Sequence, residues 1–227
     1  MDLKILYEDA DMIAVEKPQG MPAQPDKTGD LDMLTCLEKQ CQMPLGLVHR
    51  LDRPVGGVMV FAKRTSAQVE TQIAKAMQIG GWSKTYLAVV MGEPEQTEGT
   101  WTDYLFRDSR SNTSKVVDAK HKQAKKAILQ YEVLGTIQNA EEETLSLLKI
   151  QLQTGRHHQI RVQCAHHGVP IWGDRKYGNT RQPQQTGHIA LWSYELKGQL
   201  PKKKPFCIHS IPQEKPFLYF AEILRKL

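Results

Sequence analysis

The sequence predicts a mixed α+β fold: a largely antiparallel β-sheet core with flanking helices and loops. Three observations carry that expectation. Most apolar segments are short and rich in β-branched residues, as strands are. Only three stretches show helical spacing. Strand–helix–strand alternations of the kind that build a parallel sheet are few. The chain has 227 residues, 40% hydrophobic and 24% charged, an ordinary globular composition long enough to bury one sizeable core without disulfides or metals. A single domain over residues 1–227 is expected.

Taken in order, Leu3 to Tyr7 and Met12 to Glu16 read as a hairpin joined by the acidic turn Glu8-Asp9-Ala10-Asp11. Lys17 to Pro25 holds three prolines and a glycine, which remove backbone donors and make an irregular loop. Leu31 to Cys41 reads as a helix with Leu31, Leu34 and Leu37 on one stripe. Val55 to Ala62 is valine-rich and reads as a strand buried on both faces. Ser66 to Met77 reads as a helix with Val69, Ile73 and Met77 at a spacing of four, stopped by Gly80-Gly81. Lys84 to Met91 alternates as a strand. Ala127 to Leu134, Thr144 to Leu152, Ile189 to Leu196 and Phe217 to Leu224 read as strands, and Gln159 to His167 as a helix. Pro201-Lys202-Lys203-Lys204-Pro205 reads as a solvated loop.

Charge and composition exclude several classes. No apolar run approaches the ~20 residues that cross a bilayer, and Glu8, Asp9, Asp11, Glu16 and Lys17 interrupt the start of the chain where a signal peptide would need an apolar core. A cytoplasmic protein without a membrane partner is expected. Cys36, Cys41, Cys164 and Cys207 form no Cys-x-x-Cys pair and read as reduced structural thiols. The net charge is +5, but it is concentrated. From Arg107 to Lys126 seven basic residues face two acids, and from Lys149 to Arg181 six face one, each a local +5. Both stretches also carry aromatic or imidazole rings, a mixture suited to phosphates and stacked bases.

The sharpest chemistry lies in Leu47 to Lys63. Asp52 stands between Arg50 and Arg53, immediately before Pro54 and Gly56-Gly57, and an apolar strand follows. Flanking cations favour the charged form of a carboxylate, and an ionised, partly enclosed Asp serves as nucleophile or base. Taken alone, the same arrangement also describes a structural salt bridge.

Four ordered segments resolve that ambiguity. His49-Arg50-Leu51-Asp52, followed by Gly57 and Ala62-Lys63, resembles the signature of the RluA-type RNA pseudouridine synthases. Ile5 to Pro22 resembles the family's opening hairpin and Lys-Pro-x-Gly loop. Lys84 to Gly92 (KTYLAVVMG) resembles its K-x-Y-x-A-x-V-x-G strand, and Thr154 to Gly178 (TGRHHQIRVQCAHHGVPIWGDRKYG) its T-G-R-x-H-Q-I-R…G-D-x-x-Y-G block.

The resemblance implies an isomerase that breaks the N1–C1′ bond of a uridine within RNA and rejoins the base through C5. It implies no cofactor and no metal. Asp52 matches the catalytic aspartate, acting as nucleophile or as base. Tyr86 matches the tyrosine that stacks on the target uracil, and Arg161 the arginine that pairs with the aspartate. A uridine in folded RNA must leave the stack to be reached, at a cost of a few kcal/mol, and aromatic stacking returns about 1–3 kcal/mol per base. Leu191 matches an apolar residue against the base. Arg50 is assigned to the RNA side of the loop, His158 to loop orientation or phosphate contact, and Arg156, at the Gly155-Arg156 turn, to phosphate contact or to a plain turn. The expected partner is an rRNA or a tRNA, bound by a monomer with no S4-like domain ahead of the hairpin.

Two positions depart from the family pattern. Val55-Gly56 stands where Thr-Ser is common, and Leu191-Trp192-Ser193 where Leu-His-Ala is frequent. His157, His158, His166, His167 and Cys164 lack the spacing of zinc motifs. Trp101, Tyr104, Phe106 and Trp172 read as core, and Asp174 as a loop-fixing acceptor. The competing function is a catalytically silent RNA-binding or ribosome-assembly protein of the same fold.

Overall fold

A computed structural model describes residues 2–63, 67–78, 81–140, 142–178, 188–200 and 203–227. In chain order the elements are β1 (Ile5–Glu8), β2 (Met12–Lys17), α1 (Met33–Cys41), β3 (Leu45–Leu47), β4 (Gly56–Lys63), α2 (Ala67–Gln78), β5 (Ser83–Met91), β6 (Glu98–Asp108) and β7 (Thr113–Val116). There follow β8 (Lys125–Gln138), β9 (Thr144–Leu152), α3 (Gln159–His166), β10 (Leu191–Gly198), β11 (Phe206–His209), a 3-10 turn (Phe217–Phe220) and α4 (Ala221–Leu224). The expected α+β class holds, and all but one of the described pairings between named strands are antiparallel. The chain gathers into two compact units, Met1–Lys84 with Trp192–Pro212, and Thr85–Leu191 with Gln213–Leu227.

In the first unit β4 is the central strand. Its apolar run is buried from Gly56 to Ala62, as expected for a strand covered on both faces. It pairs antiparallel with β2 (Ile13↔Phe61) and β3, and parallel with β10 at Trp192↔Gly56. Met12, Ala14, Val58, Val60, Ile73, Met77, Trp82, Phe206 and Ile208 share one core cluster, so α2 presents its expected stripe. Helix α1 starts where Asp32 Oδ1 accepts from Thr35 N at 3.0 Å, the N-cap bond that satisfies an otherwise orphan donor. That start corrects the expected stripe: Leu31 precedes the helix and is exposed, and Met33 and Leu37 are its buried residues. Ser66 and Gly80, read as marks of the second helix, lie outside the described residues, as do Arg181 and the Pro201-Lys202 end of the basic loop.

The second unit carries β5-β9-β8-β6-β7 in that order. Strand β5 corrects the alternation read from sequence, because Thr85 to Val90 are buried without a break. Strands β6 and β7 were not marked by apolar patterning at all. They form a polar hairpin with Leu105 and Ser114 turned inward. Beneath it Leu105, Ala127 and Val162 make a small cluster with Val116 and Tyr177, fastening α3 to the hairpin. The expected strand Phe217 to Leu224 is a 3-10 turn followed by α4. Phe217, Phe220 and Leu224 are buried while Leu218 and Tyr219 are exposed, a helical spacing that a short, mostly apolar run conceals. Among the described residues no helix is long and apolar enough to cross a membrane.

Candidate functional site

Asp52 lies half-buried in the loop between β3 and β4, with Arg50 exposed two residues before it. The loop is held by a residue that sequence reading passed over. Lys17, at the end of β2, is fully buried, and its Nζ donates to the carbonyls of Pro18 (3.0 Å), Arg53 (3.0 Å) and Val55 (2.8 Å). Two of those carbonyls belong to the turn that follows Asp52, and Val55 N closes the turn on the Asp52 carbonyl at 2.9 Å. Burial lowers the Lys17 pKa to about 7; the Asp52 charge opposes that shift and Arg53 adds to it. The sequence signs were a lysine ending an apolar strand and its place at the head of the Lys-Pro-x-Gly loop.

Arg53 is anchored on the neighbouring loop. Its Nε donates to Gly20 O at 2.8 Å and Nη2 pairs with Asp30, which ties the Asp52 loop to the Lys17–Pro25 loop. His49 is fastened at the other end, where its Nε2 accepts from Val60 N at 2.9 Å. Enclosure of the ring, with the Lys84 ammonium nearby, pushes its pKa down to about 3, so the imidazole is a neutral acceptor with Nδ1 carrying the hydrogen.

The two departures from the family pattern meet in space. A Cβ on Gly56 would lie 2.2 Å from Cζ3 of Trp192; the indole occupies the volume that a serine would need. Trp192 Nε1 donates to Ser210 O at 3.0 Å, and Ser210 Oγ donates to Glu16 Oε2 at 2.6 Å. Gly57 has φ +108° and a Cβ there would fall 2.2 Å from Ser193 O, so only glycine fits.

In the second unit Tyr86 lies on β5 and is 9% exposed, and Leu191 at the start of β10 is 4% exposed. Arg161, on α3, is buried and bidentate with Asp174: Nε to Oδ2 and Nη2 to Oδ1, each 2.7 Å. Asp174 also accepts from Lys176 N (2.9 Å) and Tyr177 N (3.3 Å), which makes it the loop-fixing acceptor expected and in addition the clamp on Arg161. The Arg161 guanidinium sits over the Tyr177 ring at 5.2 Å. Tyr177 Oη accepts from Ser114 N and lies 2.7 Å from His158 Nδ1. His158 is thus a buried residue at the start of α3, placed to orient the chain there.

Arg156 is exposed, its Nε anchored on Lys126 O at 2.9 Å. It shares a groove of about 540 Å³ with Phe106, Arg107, Lys122, Lys125 and His157. Two basic stretches far apart in sequence therefore line one concavity. Lys115 Nζ stands 5.7 Å over the Phe106 ring. Trp101 and Trp172 are core, as expected; Tyr104 and Phe106 are half-buried, and Phe106 faces the groove.

Residues 11–166 match the family model described as RNA pseudouridylate synthase. The chain is 32% identical over 240 residues to an RNA pseudouridine synthase of Bacillus subtilis, covering 100% of this chain and 74% of that one. It is 33% identical over 187 residues to ribosomal large subunit pseudouridine synthase D of Yersinia pestis, covering 80% of this chain and 54% of that one. The chain thus spans little more than half the length of that relative. Among solved structures, human RNA pseudouridylate synthase domain containing 1 shares the fold, with a TM-score of 0.78 at 21% identity, covering 100% of this chain and 96% of that one.

Proposed function

Because the chain belongs to the RNA pseudouridylate synthase family, of the RluA type, and is an isomerase acting on RNA, we propose that it converts a uridine to pseudouridine within a structured RNA, using Asp52. A ribosomal RNA substrate is favoured by the relatives named ribosomal large subunit pseudouridine synthases, with a tRNA loop as the other reading. A cytoplasmic location goes with either.

The target nucleotide leaves its stack, since neither C1′ nor C5 is reachable inside a helix. Tyr86 takes the stacking role for the extruded uracil, and Leu191 supplies apolar wall while the detached base turns. Asp52 acts on the nucleoside as nucleophile or as the base that removes a ribose proton; either role needs a carboxylate held in one pose. Arg161 supplies the partner charge, and His158 keeps its helix start in place. Arg50 faces the RNA from the loop. Arg156, with Arg107, Lys122 and Lys125, takes phosphates flanking the target, and Phe106 offers a ring to an unstacked base.

The observation that carries the reading is the setting of Asp52: a half-buried carboxylate in the family's motif position, on a turn whose following carbonyls are held by a buried ammonium. Such pre-organisation is what catalysis requires and what binding alone does not. Asp52→Asn should lower pseudouridine formation by at least about 10²-fold while leaving RNA affinity near that of the parent chain. Pseudouridine mapping in RNA from cells lacking the protein, complemented with each form, reads both the activity and the target. An active Asn variant removes Asp52 from the mechanism, and a parent chain that binds RNA without product makes it the silent binding protein.

A further inference from the structure

Among the described residues outside those used above, one cluster combines three metal-binding side chains. Strands β10 and β11 pair antiparallel with Glu195 opposite His209 and Lys197 opposite Cys207. Side chains two apart on a strand share a face, so these four stand together on one face of the hairpin. Cys207 Sγ is 3.6 Å from Glu195 Oε2 and 3.6 Å from His209 Nδ1. All three ligand atoms lie within 4.8 Å of one another. Zinc bonds of about 2.3 Å to sulfur and 2.0–2.1 Å to nitrogen or oxygen, opened to a tetrahedral angle, place such ligand atoms about 3.6 Å apart. The sulfur-to-ligand spacings therefore already match a tetrahedral centre.

We propose that Glu195, Cys207 and His209 form a surface site for a zinc-class divalent cation, with one coordination position left open. Thiolate and imidazole together favour zinc over the hard cations magnesium and calcium, which prefer all-oxygen sites. Metal binding displaces the Cys207 thiol proton to solvent, so that the sulfur coordinates as a thiolate. Lys197 holds the site in check: its Nζ is 2.7 Å from Glu195 Oε2 and occupies the carboxylate that the metal needs. The lysine side chain is half exposed, and it swings into solvent when the cation arrives. The loaded site ties β10 to β11 through their side chains, in addition to the backbone pairing that already joins the two strands.

The test is titration of the metal-free chain with Zn²⁺ against a chromophoric chelator, repeated with Co²⁺ to read the thiolate-to-cobalt charge-transfer band in the near ultraviolet. The parent chain should show that band and one equivalent bound. Cys207→Ser should lose the band, His209→Ala should weaken Zn²⁺ binding at least tenfold, and Lys197→Gln should tighten it severalfold by removing the competing cation. All three positions are at a surface hairpin, and circular dichroism checks that the variants fold. Cobalt bound without the charge-transfer band, or Cys207→Ser binding zinc as the parent does, overturns the assignment. Pseudouridine formation is measured separately, so failure of the metal site leaves the catalytic reading untouched.

Discussion

The loop that carries Asp52 and the helix that carries Arg161 are each held by a buried cation, but by opposite kinds of partner. Lys17 is surrounded by three backbone carbonyls, whose dipoles compensate its charge only in part, and its pKa falls to about 7 under burial. Arg161 meets a full carboxylate in two parallel bonds of 2.7 Å, and a guanidinium keeps its proton at any pH a protein survives. One region is thus fixed by a group whose charge can change near neutrality, the other by a pair that cannot discharge on the cation side. The lesson is that the same need, a rigid mount for a candidate site residue, is met with a titratable staple in one place and a permanent clamp in the other.

The largest consequence should come from breaking the clamp. Asp174→Ala leaves Arg161 buried with its main partner gone, and stability should drop by about 3–5 kcal/mol in denaturant unfolding. Asp174→Asn, which keeps acceptor capacity, should cost less. Equal and small losses in both would mean that the pair is not the clamp described.

Next in size is the staple. Lys17→Met fills similar volume but leaves carbonyls of Pro18, Arg53 and Val55 without their donor, a loss of roughly 3 kcal/mol. Its pH signature separates it from ordinary core damage. Between about pH 7, the folded value, and 10.5, the ordinary one, the unfolded chain holds a proton on Lys17 that the folded chain lacks. Stability should therefore rise with pH across that window, and Lys17→Met should remove that part of the slope. A slope unchanged by the substitution would place the lysine's titration elsewhere.

The smallest effect concerns the paired departures from the family pattern. Gly56→Ser forces the Trp192 indole aside and should cost about 1–3 kcal/mol. Combined with Trp192→His, which shrinks the neighbour, the cost should fall by at least about 0.5 kcal/mol relative to the sum of the single changes. Strict additivity in that double-mutant cycle would show that the two positions do not share volume.

Much of this was legible in the amino-acid sequence, for reasons that are local. Val58, Val60 and Phe61 announce a strand buried on both faces because their apolar run is unbroken, and Asp52 stands out because Arg50, Arg53, Pro54 and Gly57 surround it within a few positions. Helix α2 follows from the spacing of Val69, Ile73 and Met77. Where one pattern fits two structures, reading failed: the apolar Phe217 to Leu224 fits a strand or a helix, and the polar β6–β7 hairpin offers no alternation to find. Leu31 extended a helical stripe on paper, although Asp32 caps the helix after it.

By itself, then, the sequence determined the class of fold and the family, and marked Asp52, Tyr86 and Arg161 as the candidates that the proposed function uses. It could do so because motifs and hydrophobic period act over short distances along the chain. Only the tertiary structure decided that Lys17 grips a turn 36 residues away, that Asp174 rather than a sequence neighbour clamps Arg161, that two basic stretches line one groove, and that Gly56 exists to admit Trp192. Each of these depends on which distant segments share a volume, and volume and burial belong to the folded chain, where a lysine becomes a core residue and a glycine becomes obligatory.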